Sequence, residues 1–346
     1  MKRINGLPHY SGQPRPFQQC IFHLFGINFG KFKIILFLIK IKMNETLTGS
    51  SDVKSPLHQR GMALLQRVRQ FQQKNLKNFI PFYCERQALG WIPLECLSWF
   101  QQVPEVFECN EQSISLHPGL QNPDSRTRAV AEVLQEWESL GRIPGWRDEW
   151  YRVSSRYAAE PVFFLERAAA SLFGITSYGV HLNGIAGDPE NKLLWLARRA
   201  KDRPQYPGAM DHLVAGGLTA GISPDQVMIR ECFEEAGIPE QLACKARPCG
   251  QVSLFMEYRG RIKRDLLFCY DLILPEDFVP CNKDGEVESF FKKSFSKVEA
   301  LIAETEEIKL NCNLVMLDFL IRHGQLNPEM PFYTEIINGL RSMDVQ

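Results

Sequence analysis

The stretch RECFEEAG at 230–237 places three glutamates close together behind a single arginine. In a helix, Glu231, Glu234 and Glu235 occupy positions i, i+3 and i+4, so with about 3.6 residues per turn they share one face. Like charges at this spacing cost about 0.2–0.5 kcal/mol per pair. A helix selected for stability alone would carry lysines there, which favours a carboxylate site for a divalent cation. The commoner alternative for such a cluster is a solvated acidic face.

The residues around the cluster predict where this helix begins and ends. Ser223 is a favourable N-cap, and Gln226 lies three residues later, as a capping box requires. Pro224 fits the first helical position, where its missing N–H costs nothing. Gly237 is a typical residue for the C-terminal end. The sequence therefore predicts a helix over 224–236.

Carboxylate oxygens are the ligands that Mg²⁺ and Mn²⁺ prefer, together with oxygens of a bound phosphate. Arg230 can orient or partly neutralise a neighbouring glutamate. The preceding segment GGLTAG can turn sharply and let its backbone approach bound phosphates. Its glycines are Gly216, Gly217 and Gly221. A metal held in this way would neutralise a diphosphate and position a water for attack at phosphorus.

The whole segment resembles the signature of the Nudix family, Gly-x5-Glu-x7-Arg-Glu-U-x-Glu-Glu-x-Gly-U, where U is a bulky aliphatic residue. The matching positions are Gly216, Arg230, Glu231, Glu234, Glu235, Gly237 and Ile238. Cys232 is an unusual but apolar residue at a U position. The clear departure is Ile222, which stands where the signature has its first glutamate. The resemblance implies that Glu231, Glu234 and Glu235 hold Mg²⁺ or Mn²⁺.

Stretches outside the signature, such as SYGVHLNGI at 177–185 and LDFLIRHGQLNPE at 317–329, resemble the thiamine pyrophosphokinase-related branch of this family. The resemblance covers about residues 60–330. It implies an α+β chain in which a small α+β domain precedes a Nudix fold, a mixed sheet flanked by helices. It also implies an Mg²⁺-dependent diphosphatase that converts oxo and oxy forms of thiamine diphosphate to the monophosphate. A kinase is not expected, because the chain has no Walker-type phosphate loop.

Hydrophobic periodicity divides the chain into three parts. We predict an extension over 1–55, an N-terminal α+β domain over 56–165 and a Nudix domain over 166–335. In the N-terminal domain, helices are predicted from 61, over 125–143 and over 160–172, with strands within 107–117 and 146–157. The Nudix domain should contain four long strands and two helices after the acidic one. The strands are predicted at 177–185, 192–200, 251–259 and 265–274, and the helices at 296–304 and 313–324.

The general base cannot be assigned from the motif alone. The loop DGEVES at 284–289 offers Glu286 and Glu288 as a further base or metal ligand, although loop acids are more often only solvated. Glu231 or Glu235 could instead activate the water. We take Glu286, together with the motif residues, as the catalytic set.

Several other residues have both a functional and a structural interpretation. His181 and Asn183, on a predicted strand, could face substrate or be satisfied core groups. Trp195 could stack on a heteroaromatic ring, although a core position is commoner. Three basic residues could meet phosphate or be ordinary surface charges: Arg198, Arg199 and Lys201.

Composition narrows the class of protein. Lys plus Arg equals Asp plus Glu at 40 each, so no overall field points to nucleic acid. The ten cysteines include no CxxC pair, which indicates reduced thiols in an intracellular protein. No apolar run reaches the roughly 18 residues of a membrane span. The expected partner is a small-molecule diphosphate, and the oligomeric state stays open.

The first 44 residues are basic and contain no Asp or Glu. This is a feature of mitochondrial transit peptides, although those are richer in serine and arginine. We predict a cytoplasmic protein with a poorly ordered extension, and a mitochondrial protein as the alternative.

Two alternatives to thiamine diphosphate hydrolysis remain at the sequence level. The chain could be a non-catalytic Nudix module, which the substitution at Ile222 favours. It could also hydrolyse nucleoside diphosphate derivatives such as ADP-ribose or NADH, because the motif recognises the diphosphate and not the group attached to it.

Overall fold

The computed structural model describes residues 55–73, 75–187 and 191–342. The residues from Leu57 onward form one compact unit. The predicted extension over 1–55, and the targeting alternatives attached to it, fall outside the described ranges except for Ser55. Within those ranges, no helix is both long and apolar enough to cross a lipid bilayer.

Helix α1 (Pro56–Gln70) opens the described fold. The apolar stripe that the sequence predicts from Gly61 onward is buried, and its members are Leu64, Leu65, Val68 and Phe71. These side chains do not pack against the next elements in sequence. They lie in one cluster with Leu254 and Val315, more than 180 residues further along the chain. The division at 165/166 stays a prediction, but α1 packs with the later part of the chain.

The next region forms a four-stranded sheet with strand order β2-β1-β4-β3. Its elements are β1 (Phe79–Cys84), β2 (Gln87–Pro93), α2 (Leu97–Gln101), β3 (Phe107–Cys109), β4 (Ile114–Leu116) and α3 (Pro123–Ser139). Strands β1 and β4 are parallel, whereas the other neighbours are antiparallel. Aromatic rings fill its core, and Phe100 meets Trp137 edge to face at 4.9 Å. The two predicted elements at 107–117 and 125–143 are present.

A separate two-stranded hairpin follows, formed by β5 (Trp150–Val153) and β6 (Phe163–Glu166). The predicted helix over 160–172 is wrong in its first half, which forms strand β6. Phe163 and Leu165 alternate with the half-buried Phe164, and Leu165 pairs with Tyr151 of β5. That alternation is strand-like, and only the later half, a 3₁₀ turn and the short helix α4 (Ala170–Phe173), is helical.

A seven-stranded mixed sheet forms the centre of the second region. Its strands are β7 (Thr176–Ala186), β8 (Leu193–Arg199), β9 (Met210–His212), β10 (Val214–Gly217), β11 (Arg247–Tyr258), β12 (Arg261–Ile273) and β13 (Val287–Ser294). The main strand order is β11-β12-β7-β8-β13, and β10 and β9 pair with β7 and β8 respectively. Strands β12 and β7 are parallel. Strand β10 therefore lies beside the centre of the sheet, directly before the acidic helix.

Helices cover both faces of this sheet. Helices α5 (Pro224–Ala236) and α6 (Glu240–Ala243) lie on one face. Three helices join α1 on the other face: α7 (Phe295–Glu304), α8 (Cys312–Arg322) and α9 (Tyr333–Arg341). Alternation along β8 shows the two layers, because Trp195 packs with the α5 side and Leu194 and Leu196 with the other. The predicted mixed sheet flanked by helices is confirmed.

Several elements were not predicted from the sequence, among them β13 and α9. The start of strand β13 falls in the stretch 284–289, which the sequence analysis treats as a loop, and this edge strand buries none of its side chains fully. Helix α9 is amphipathic, and its buried residues Ile336 and Leu340 close the core beside α1. The four long strands and the later helices at 296–304 and 313–324 are present within a few residues of their predicted limits.

Candidate active site

Helix α5 forms as its end signals predict. The Ser223 side chain accepts from the Gln226 N–H, and the Gln226 side chain accepts from the Ser223 N–H at 3.1 Å. Pro224 is the first helical residue. The helix ends at Gly237, whose φ of +63° is a conformation that glycine adopts without strain. These local interactions set the helical phase of the three glutamates.

Close packing of α5 against β10 fixes two of the carboxylates. A Cβ atom at Gly216 would lie 2.4 Å from Cγ and 2.8 Å from Oε1 of Glu231, so only glycine leaves room for this glutamate. One residue earlier, the Ala215 N–H donates to Oε2 of Glu235 at 2.8 Å. The glycine-rich strand thus holds Glu231 and Glu235 beside its backbone.

The three carboxylates have different environments. Glu235 is buried, the side chain of Glu231 is 14% exposed and that of Glu234 is 46% exposed. Burial raises the pKa of Glu235 well above its usual value, and the charge of Asp211 adds to the rise. Burial also raises the pKa of Glu231, although Arg230 opposes the rise. A bound cation would favour the ionised form of both groups, because an opposite charge stabilises a buried carboxylate.

Arg230 lies beside two of the helix carboxylates. Its guanidinium donates to Oε1 of Glu231 at 2.9 Å, and its Nε lies 4.0 Å from Oε2 of Glu234. The three glutamates do not form a compact group of ligand atoms among the described residues. Their hard oxygens fit Mg²⁺ or Mn²⁺ chemically. Binding one ion with all three would require side-chain rotations, which the exposed Glu234 can make most freely.

The loop before β13 brings Glu286 toward the helix. Glu286 pairs with Arg203 at 2.6 Å, and its negative charge contributes to the raised pKa of Glu231. Its neighbour Glu288 instead pairs with Lys201 at 3.5 Å. Glu286 thus lies in the loop and influences the pKa of Glu231, whereas Glu288 lies on strand β13.

Backbone hydrogen bonds fasten this loop to the end of α5. The Cys281 N–H donates to Ala236 O, and the Lys283 N–H donates to Glu234 O, both at 2.9 Å. Ile222, at the position of the missing signature glutamate, packs against the apolar cluster under α5. It therefore fills a structural position at the start of the helix.

The remaining candidates mostly have structural partners. Trp195 is buried beneath Lys292, whose Nζ lies 4.7 Å from the ring centroid. Asn183 is buried and donates to Asp271 at 2.9 Å. Arg198 donates to Gly208 O at 2.8 Å, and Arg199 pairs with an oxygen of Asp211 at 3.1 Å. Among the glycines, Gly221 has a φ of +82° and lies in open space.

A buried polar cluster beside the glutamates was not predicted as a unit. His181 and His212 bring their Nδ1 atoms to 3.1 Å, and Asp211 accepts from Cys312 at 2.8 Å and pairs with Lys309 at 2.9 Å. His181, His212 and Cys312 have ligand atoms within 4.8 Å of one another. Burial lowers the pKa of both histidines, that of His212 to about 4.

Comparison with known proteins gives the family. Residues 180–311 match the model described as the NUDIX domain, and residues 62–177 match a domain of unknown function, DUF4743. Nudix hydrolase 20, chloroplastic, from Arabidopsis thaliana is 43% identical over 280 residues, covering 78% of this chain and 75% of the relative. Nudix hydrolase 24, chloroplastic, from the same plant is 41% identical over 273 residues, with the same coverage of both chains.

A crystal structure of an Ap4A hydrolase from C. elegans is 16% identical and covers 43% of this chain and 99% of its own, with a TM-score of 0.33. The relatives in Arabidopsis share far more of both sequence and length. On that match, the chain belongs to the Nudix hydrolase family, enzymes that act on diphosphate linkages and generally use divalent metal cations.

Proposed function

We propose that the protein hydrolyses the diphosphate linkage of thiamine diphosphate-like compounds, in particular the oxo and oxy forms, to the monophosphate in the presence of Mg²⁺. The observation that supports this reaction is the packing of α5 against β10, where Glu231 lies against Gly216 and Glu235 accepts a hydrogen bond from the Ala215 N–H. The thiamine-like substrate rests on the sequence resemblance described above. Mn²⁺ is the alternative metal.

Each residue of the site has a role in this proposal. Glu231, Glu234 and Glu235 hold the metal, which supplies Lewis-acid activation of water and neutralises the diphosphate. Arg230 orients Glu231, to which it is bonded at 2.9 Å. Gly216, Gly217 and Gly221 allow the backbone to approach phosphate. Glu286 accepts a proton from the attacking water, with Glu231 and Glu235 as the alternative bases.

The decisive experiment is a hydrolysis screen on thiamine diphosphate, oxythiamine diphosphate, ADP-ribose and NADH with Mg²⁺. We expect oxythiamine diphosphate to be cleaved, and Glu235→Gln to lower kcat/KM by at least about 100-fold, since the ligand is lost directly. Glu240→Gln, on the exposed surface of the adjacent helix, is the matched control and should keep the wild-type rate.

The other outcomes identify the other candidates. Faster cleavage of ADP-ribose or NADH would replace the thiamine-like substrate and keep the chemistry. Saturable binding without turnover of any compound would indicate a non-catalytic module, the alternative that Ile222 favours. Equal rates for wild type and Glu235→Gln would remove the proposed metal site.

Cellular location is a separate proposal. We propose a cytoplasmic protein, with a mitochondrial location as the alternative suggested by the basic, acid-free start. The two plant relatives carry the word chloroplastic in their names. Imaging of the chain fused to a fluorescent protein, with and without residues 1–55, separates these locations, because removal of a targeting segment would return the protein to the cytoplasm.

A further inference from the structure

The hairpin β5–β6 lies outside the Nudix signature, yet it contacts the glycine-rich segment directly. The Ala220 N–H donates to Trp150 O at 2.7 Å. Next to this bond, a Cβ atom at Gly217 would lie only 2.7 Å from the hydroxyl of Tyr151. Gly216 faces Glu231, whereas Gly217 faces the hairpin. The segment is therefore enclosed by the metal helix on one side and by the hairpin on the other.

Arg167, the first residue after β6, brings a positive charge to this contact. The Cβ position of Gly217 is 3.7 Å from Cζ and 3.8 Å from Nη1 of Arg167. The guanidinium lies over the ring of Tyr151, 5.9 Å from its centroid, and pairs with Glu149 at 2.8 Å. The Arg167 side chain is 42% exposed, so a ligand can approach it from solvent.

Arg167 also interacts electrostatically with Glu286, the loop acid near the glutamates of α5. Burial lowers the pKa of Arg167, but the neighbouring Tyr151, Glu149 and Glu286 together raise it above its usual value. The same Glu286 contributes to the raised pKa of Glu231. Arg167 and the glutamate cluster therefore lie within electrostatic reach of one common carboxylate.

The other arginines near the signature residues already have carboxylate partners. Arg230 is bonded to Glu231, Arg203 to Glu286 and Arg199 to Asp211. The partner of Arg167 is different, because Glu149 has no part in the proposed metal site, whereas Glu231 and Glu286 do and Asp211 is buried. The Glu149 side chain is 35% exposed. Exposed ion pairs contribute only about 0–1 kcal/mol, so Arg167 can leave Glu149 for a phosphate at little cost. A guanidinium can bind two phosphate oxygens at once.

We propose that Arg167 binds a phosphate of the diphosphate substrate, and that the β5–β6 hairpin is a wall of the active site. The inference rests on the proposed function, because it assigns a substrate-binding residue to the same site. It extends the site beyond the residues that match the NUDIX domain, since Arg167 and Tyr151 lie in the DUF4743 region.

The test measures binding of methylene diphosphonate, a diphosphate mimic that cannot be hydrolysed, by calorimetry with Mg²⁺ present. We expect Arg167→Gln to weaken binding by about 10–100-fold, as for loss of a charge-assisted pair, and Arg167→Lys to restore part of it. Arg147→Gln, an exposed arginine before the same hairpin, is the matched control and should bind as wild type does.

Glu149→Gln separates substrate binding from a structural role. If Arg167 only braces the hairpin through Glu149, both Glu149→Gln and Arg167→Gln should weaken binding equally, and this result would overturn the proposal. If Arg167 binds phosphate, Glu149→Gln frees the Arg167 guanidinium from its ion pair. The affinity for methylene diphosphonate should then be unchanged or higher. Circular dichroism would establish that each variant is folded.

Failure of this proposal can be distinguished from failure of the proposed hydrolytic function. Equal binding by wild type and Arg167→Gln, or no binding by wild type, would contradict the role of Arg167. Binding that depends on Arg167, without turnover of any tested substrate, would support the role and contradict the hydrolase. With the preferred substrate, we expect Arg167→Gln to raise KM more than it lowers kcat.

Discussion

Gly216 is the residue at which a single methyl group would meet the proposed metal ligand. In Gly216→Ala, the Cβ would lie 2.4 Å from Cγ of Glu231, so the carboxylate must leave its place. We expect Mg²⁺ affinity and kcat/KM to fall by at least about 10-fold, the lower end of the losses seen when groups that position metal ligands are changed. Isothermal calorimetry with Mg²⁺ and steady-state kinetics measure the two effects.

Gly221→Ala is the control for that prediction. It introduces a side chain at a φ of +82° but in open space. We expect a stability loss of about 1–2 kcal/mol from the left-handed backbone, with Mg²⁺ affinity unchanged. An equal loss of affinity in both variants would show that contact with Glu231 is not the cause.

His212 makes the unfolding free energy depend on pH in the range between its pKa in the folded chain and its pKa in the unfolded chain. Its pKa is about 4 in the folded chain, where burial disfavours the charged ring, against 6.5 for an ordinary histidine. Between these values the unfolded chain binds more protons, so stability rises with pH and falls on acidification. The buried Glu235, whose pKa is raised, has the opposite dependence above its ordinary pKa, so the comparison must be between variants.

We expect His212→Gln to remove part of this dependence. Between pH 6.5 and pH 4.5, its unfolding free energy should fall by about 2 kcal/mol less than that of wild type. Urea unfolding at several pH values measures this difference. Parallel curves for the two proteins would contradict the assignment of the lowered pKa to His212.

At the scale of elements, α1 is held to the end of α7 by one buried arginine. The guanidinium of Arg67 donates to Ile302 O at 3.1 Å and Thr305 O at 2.6 Å, and it pairs with Glu306 at 2.8 Å. Arg67→Gln leaves these carbonyl groups without their donor. We expect a loss of about 1–3 kcal/mol in unfolding free energy.

The exposed Arg69 is the matched control on the same helix. Arg69→Gln should change the unfolding free energy by no more than about 0.5 kcal/mol, as is usual for surface substitutions. Thermal or chemical unfolding compares the two variants. If both lose the same free energy, α1 is not fastened through Arg67.

Elements whose signals are local were the ones that the sequence could predict. Helix α5 is one case, because Ser223, Gln226 and Gly237 define its ends through contacts within a few residues. Strand β6 was misassigned because Phe163–Glu166 is a strand only through its pairing with β5. Strand β13 lacks fully buried side chains, so its sequence carries little periodicity.

The candidate site follows the same rule: its contacts within one helix could be predicted from the sequence, and its contacts between distant segments could not. The phase of the three glutamates follows from the helix alone, and so does the i,i+4 approach of Arg230 to Glu234 at 4.0 Å. The contact of Gly217 with Tyr151 and the pair of Arg203 with Glu286 join distant parts of the chain. No spacing in one sequence encodes such contacts, because they depend on how separate elements pack.

At the scale of the whole molecule, the Nudix region depends on residues that precede it by more than one hundred positions. The side chains of α1 and of the residue directly after it that enter the core of the large sheet are Leu64, Leu65, Val68 and Phe71. Burying each contributes about 1.5–3 kcal/mol, so together they contribute about 6–12 kcal/mol. This is comparable to the total stability of a typical domain, about 5–15 kcal/mol.

A fragment over 176–342 should therefore fail to fold cooperatively, whereas 55–342 should unfold in a cooperative transition. Urea titration followed by circular dichroism, with a dye that binds exposed apolar surface, compares the two fragments. A cooperative transition of similar midpoint in the shorter fragment would contradict the structural role of α1 and would support a division of the chain near residue 165.

The bonds from Cys281 and Lys283 to the last turn of α5 have a consequence for how the acidic loop is built. Free carbonyl oxygens at a helix end need donors, and here the loop that leads to Glu286 supplies them. The loop and the end of α5 are therefore joined by backbone hydrogen bonds and should move together. A length change confined to the turn at 259–260 between β11 and β12 should therefore leave Glu286 in its place beside α5, whereas a one-residue change within either strand would shift its register. A one-residue change between 283 and 286 should move Glu286 directly.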